Sequence, residues 1–165
     1  MKNQHLNDRA NFIKHWTINS EQLSSAAELV WNSDVTSFPG YNDEDKNKIH
    51  HMYRPAALLM GLSLETLIKA CYIAHNPLVL GDTYPKYLSN HKLIKLSELI
   101  EFHPDDAETA TLHRLTAAIE WVSKYPIPRM ESGYEIDVLM RNDGDFSTFR
   151  QIYQKVLKKI PYPRT

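Results

Sequence analysis

Glu65 and Lys69 stand four positions apart, the spacing that places two side chains on one face of a helix. The ordinary expectation for a carboxylate and an ammonium so placed is a surface ion pair, contributing roughly 0.3–0.5 kcal/mol. The chemical reading is a polar rim on a cleft between helices. His91, directly after Asn90, opens the next helical pattern. Its ordinary role is an exposed or capping imidazole, and its chemical role is hydrogen bonding or proton movement. Trp121, Tyr125 and Arg129 follow the last histidine of the chain; Trp121 reads as a packing residue ahead of a base-stacking platform. His50-His51 and His103-Pro104-Asp105 are the notable metal-type clusters. Adjacent histidines point apart on a helix, and His-x-Asp at a helix start reads as a cap. Neither has the spacing of a zinc site, so no metal is expected, and no cofactor. The 5 glycines are too scattered for a phosphate-binding loop, and no nucleophile elbow frames a Ser/His/Asp triad.

The elements that must position these groups read as helices. Asn11 to Trp16 suggests a short helix with Phe12, Ile13 and Trp16 on one side, and Ser20 looks like the N-cap of the next. Leu23, Ala26, Ala27, Val30 and Trp31 follow at helical spacing, until Pro39-Gly40 makes a loop. Asn42 to Asp45 starts another helix, continued by Ile49, Met52 and Tyr53 to an expected break or kink at Pro55. Ala56 to Ala74 is the most apolar segment and the predicted centre of the core. Leu78 to Ser89 reads as a loop. Leu93, Leu96, Leu99 and Ile100 make the next stripe; His103 to Asp106 opens a helix whose buried face is Leu112, Leu115, Ile119 and Val122. Pro126 and Pro128 stiffen its exit, residues 130–144 are irregular, and Glu135 to Met140 reads as a short strand or a lid. A last helix, about Phe146 to Ile160, aligns Phe146, Phe149, Ile152, Val156 and Leu157. The sum is an all-α bundle of five or six helices in one domain over 1–165, packed around Ala56–Ala74 with Leu93–Ile100 and Leu112–Val122.

Composition bounds the partners. Lys plus Arg total 19 against 20 for Asp plus Glu, so no broad basic face is expected for duplex DNA or an anionic membrane. The uncharged apolar stretch Pro55 to Leu64 falls short of the roughly 18–20 residues that span a bilayer. The polar N-terminus has no signal-peptide pattern, and Cys71, the 1 cysteine, reads as a buried free thiol. A cytoplasmic location is expected.

Three segments occur in order: Gly61-Leu-Ser-Leu-Glu-Thr-Leu-Ile-Lys-Ala70, then Asn90-His-Lys-Leu-Ile-Lys-Leu-Ser-Glu-Leu-Ile100, then Leu112 to Pro126 ending in Trp121-Val-Ser-Lys-Tyr-Pro. A Glu/Lys pair on one helix, with His-x-Leu (His91-Lys92-Leu93) opening the next, resembles the HEPN superfamily over roughly Pro55 to Arg129. Lys92 replaces the more usual acid, and Lys124 stands at the basic position of the tail. The resemblance implies a helical bundle that pairs as a homodimer, in a bacterial defence or toxin–antitoxin setting. It points to RNA or a nucleotide as ligand, and to Glu65, Lys69, His91, Lys124, Tyr125 and Arg129 as binding residues. Nucleases of that superfamily carry an arginine followed four to six residues later by a histidine, late in the bundle; guanidinium holds a phosphate while imidazole moves a proton. Of the 8 histidines only His15 has such a partner, Arg9, and on a straight helix the two point about 120° apart. The expectation is a non-catalytic binding or accessory domain. A metal-independent endoribonuclease with a rearranged Arg9/His15 site, and a protein-interaction bundle without ligand, remain the alternatives.

Overall fold

The computed structural model describes residues 11–33, 53–77, 85–122 and 144–161, with the backbone alone at 121 and 122. Regular structure among these residues is entirely helical. It comprises α1 (Ile13–Trp31), α2 (Tyr53–His75), α3 (Leu93–Leu99), α4 (Asp106–Ala117) and α5 (Asp145–Leu157), with a π-helical turn, Ala118–Val122, continuing α4.

Helix α1 runs unbroken for 19 residues, so the expected boundary at Ser20 does not exist. Ser20 is fully buried in mid-helix. Its hydroxyl donates to the Ser63 carbonyl at 2.8 Å, and the Ser63 hydroxyl returns a bond to the Ser20 carbonyl at 2.9 Å. Each small hydroxyl is satisfied across the interface; tertiary pairing has replaced the local capping role. The same pairing gives the helix direction. Ser20 meets Ser63, Trp31 packs edge-on against Tyr53, and Ile13 and Trp16 pack near Ile73, so α1 and α2 are antiparallel. Ala27 is fully buried and Trp31 packs on the core, while Leu23, Ala26 and Val30 are half-buried. Phe12 turns outward, away from the cluster expected with Ile13 and Trp16, and contacts the His15 ring edge-on at 4.5 Å.

Helix α2 is the core. It touches α1, α3, α4 with its π-helical turn, and α5; Met60, Leu64, Leu67, Ile68 and Cys71 are fully buried. Pro55 lies in the first turn of α2, where a missing amide costs no intrahelical bond, so the expected break is absent from the helix. Counting its charged residues, α2 is long and apolar enough to cross a membrane: 23 residues, with an 18-residue window of mean hydropathy 1.5. Yet 72% of that window is buried within the protein, so its apolarity is spent on the bundle.

Helix α2 and the end of α4 approach closely at Gly61. A β-carbon there would sit 2.7 Å from Ile119 Cγ1 and 2.9 Å from the Leu115 carbonyl oxygen. Ile119 belongs to the π-helical turn, whose extra residue per turn displaces the chain locally. A glycine opposite it lets the two backbones meet.

Helix α4 starts where the acids require. Asp105 is the N-cap and forms a reciprocal capping box with Glu108, satisfying two amides that the first turn leaves without partners. Pro104 lies directly before the cap. Helix α5 presents Phe149, Ile152 and Val156 to the core. The readings of Asn42–Asp45, Ile49 and Met52, of Pro126 and Pro128, and of the irregular stretch with Glu135–Met140, lie outside the described residues.

Candidate functional site

Helix α2 carries Glu65, Lys69 and Tyr72, with Asn76 directly after its last residue, at four- and three-residue steps, so helical spacing puts them within about 60° of one another around the axis. This stripe is polar, though half of it is buried. The Glu65 and Lys69 side chains are 10% and 8% exposed and pair at 2.6 Å, which corrects the expected surface ion pair. The second Glu65 oxygen accepts from His91 Nδ1 at 3.0 Å. Glu65 is thereby a bridge: one oxygen neutralises a buried ammonium and the other orients an imidazole.

His91 lies two residues before α3, outside the helix, and Lys92 takes the N-cap position. The Asn90 side chain accepts from the Lys92 amide at 2.9 Å and turns the chain there. With Nδ1–H committed to Glu65, the neutral His91 ring presents an Nε2 lone pair outward, and its side chain is 55% exposed. A carboxylate-held imidazole with a free second nitrogen can accept from a hydroxyl, contact a phosphate when protonated, or move a proton.

The segment that delivers His91 is pinned to the core. Leu88 is fully buried against Ile73, and its amide donates to the Pro85 carbonyl at 3.0 Å, closing a turn. Beside it Tyr87 packs edge-on against Tyr72 at 5.4 Å and remains 45% exposed. Burial, then hydrogen bonding to Tyr87, pushes the Tyr72 phenol above its ordinary range. Residues 85–91 therefore display an aromatic ring and an imidazole on one edge. Their anchors on α2, Tyr72 and Glu65, are separated by about 10 Å along the helix.

Of the residues expected to bind, Glu65, Lys69 and His91 come together. Lys124, Tyr125 and Arg129 lie outside the described residues, as does Arg9. His15 is exposed on α1 against Phe12. Tyr87 went unnoticed in the sequence because nothing local distinguishes it; its pairing with Tyr72 across the loop is the signal.

A second polar cluster was also missed. Asp145, fully buried at the start of α5, receives Tyr53 Oη at 2.9 Å, Thr111 Oγ1 at 3.2 Å and Arg114 Nε at 3.0 Å, and pairs with the Arg114 terminal nitrogen as well. Hydrogen bonding to Asp145 raises the Arg114 pKa further above its ordinary value. Burial first, then the Asp145 charge, drives the Tyr53 phenol far up. Every lone pair of the carboxylate has a use inside the protein, so this cluster clamps α5 to α2 and α4 and offers nothing to a ligand. Among the described residues no three His, Cys, Asp or Glu side chains group as metal ligands.

Comparison of the chain with protein-family models, curated proteins and solved structures found no match to any of them.

Proposed function

We propose that this chain is a HEPN-like accessory domain that binds single-stranded RNA or a nucleotide along the Tyr87–His91 edge, without cleaving it. One observation carries the reading: a half-exposed imidazole fixed by a buried carboxylate, on the same pinned segment as an exposed tyrosine ring. An aromatic face stacks any base, an interaction contributing about 1–3 kcal/mol per base. The imidazole and the neighbouring Lys92 supply hydrogen bonds and charge to the backbone phosphates. A near-neutral chain gains affinity from such a local site without a basic surface. A second copy of the chain is the expected protein partner, setting two such edges on one assembly.

One feature favours a second reading, a metal-independent endoribonuclease: the Glu65–His91 arrangement is also that of an oriented general base. Fluorescence anisotropy with a labelled single-stranded RNA, in a chelator, separates the two. Binding should weaken about tenfold in Tyr87→Ala and in His91→Ala and stay unchanged in Arg150→Ala, which alters an exposed ion pair with Glu28. The RNA should remain intact on a denaturing gel. Cleavage abolished by His91→Ala in a folded protein would establish the nuclease, and cleavage abolished by His15→Ala the rearranged Arg9/His15 site. Affinity indifferent to both edge substitutions would refute the site.

A further inference from the structure

A cavity of about 300 Å³ lies at the carboxyl ends of α2 and α3, lined by residues of both and of the turns that follow them, with Lys159, just past the carboxyl end of α5, on its remaining side. Leu99 and Ile100 give it apolar wall. Tyr72 lines it too, and because Tyr72 also packs on Tyr87 the cavity adjoins the edge described above through a shared residue.

Its polar groups are fixed. His75 Nδ1–H donates to the Cys71 carbonyl at 2.9 Å, which leaves Nε2 of the neutral ring as an acceptor. Asn76 Nδ2 donates to the Tyr72 carbonyl at 3.1 Å, leaving its oxygen as a second acceptor. Lys159 supplies the donor, and its ammonium is already held by the Glu101 carbonyl at 3.2 Å. Glu101 adopts a left-handed φ of 51°, the usual way for a chain to leave a helix, here just beyond α3.

The electrostatics select among ligands. Helix carboxyl ends carry partial negative charge, and the formal charges in the lining, Lys159 and Glu101, cancel. A phosphate would meet negative helix ends and a single ammonium whose charge Glu101 already balances. An uncharged planar heterocycle meets apolar wall on its faces, with acceptors and a donor for its edge. We propose that this cavity binds a nucleobase, and that phosphate stays outside it. The choice of a nucleobase among planar heterocycles rests on the RNA and nucleotide reading above; the preference for an uncharged ligand does not.

Calorimetric titration of the full chain with the four ribonucleosides, beside ribose 5-phosphate, tests this directly. At least one nucleoside should saturate and bind at least about tenfold tighter than ribose 5-phosphate, and His75→Leu and Asn76→Ala should each weaken it about fivefold, the loss expected from one hydrogen bond. Both side chains are exposed at the end of α2, and an unchanged thermal transition verifies that the variants fold. Lys159→Met should weaken the nucleoside in the same way. His91→Ala should leave nucleoside affinity unchanged while RNA affinity falls, so the cavity and the edge fail separately. No saturation by any nucleoside, equal binding of ribose 5-phosphate, or indifference to all three cavity substitutions would overturn the proposal.

Discussion

Glu65 and Asp145 show how differently two carboxylates can serve one chain. Both are buried, but the partners of Asp145 are buried or largely so, whereas Glu65's partner His91 is half-exposed. Removing one member of a buried pair strands the other charge, at about 3–5 kcal/mol, whereas an exposed pair contributes under about 1 kcal/mol. Arg114→Met should therefore lower the unfolding free energy by about 3–5 kcal/mol, read from urea denaturation, with the double variant Arg114→Met/Asp145→Leu recovering part of the loss. Glu65→Gln should cost about 3 kcal/mol through the stranded Lys69 ammonium; a loss near the surface-pair value would show that Lys69 escapes to water. Neither outcome was legible in the sequence. The i to i+4 spacing revealed that Glu65 and Lys69 meet, but their burial comes from packing around α2. Arg114 lies 31 residues from Asp145, beyond any local pattern. Cys71 was legible, because an apolar stripe on the most apolar segment implies a buried thiol. Burial pushes that thiol up, with Lys159 partly opposing, so it should react with a disulfide reagent slowly in the native protein and rapidly in denaturant.

The helices read from apolar spacing within the described residues are present, the first two as the single helix α1, because three- and four-residue spacing follows from helix geometry alone. What spacing could not reveal is where hydroxyls and small residues go when another helix is near. Ser20 carries the chemistry of a cap and sits instead in the α1–α2 interface, since Ser63 offers it both a donor and an acceptor. Gly61 shows no turn signal and is needed for a close approach. Gly61→Ala should destabilise the bundle by about 1–3 kcal/mol through overpacking against Ile119 and the α4 backbone. Ile119→Ala in that background should restore only part of it, because the Leu115 carbonyl cannot retreat. Full restoration in the thermal midpoint would mean that the side chain alone sets the distance. The candidate site was half legible for the same reason: Glu65, Lys69 and His91 were marked by spacing and by position, while Tyr87 is defined by a contact across a loop.

Tyr53 and Cys71 make the bundle as a whole sensitive to alkali. Both groups have pKa values raised above their ordinary 10.0 and 9.0, so the folded state binds those protons more tightly than the unfolded chain. Their contribution is complete below about pH 9 and is lost as pH rises towards the folded values. Denaturant midpoints should hold from neutrality to about pH 9 and then fall, with a shallower fall in Tyr53→Phe. The proposed pairing of two copies should appear in light scattering as a mass above 19.2 kDa that grows with concentration. The most direct test of the binding edge is to map, by amide chemical shifts, where a short single-stranded RNA touches the labelled protein. We expect saturable shifts concentrated at residues 85–92 and at Glu65 and Lys69 of α2, lost in the folded Tyr87→Ala/His91→Ala protein. Shifts centred elsewhere, or the same shifts in that double variant, would contradict the assignment of this edge as the site.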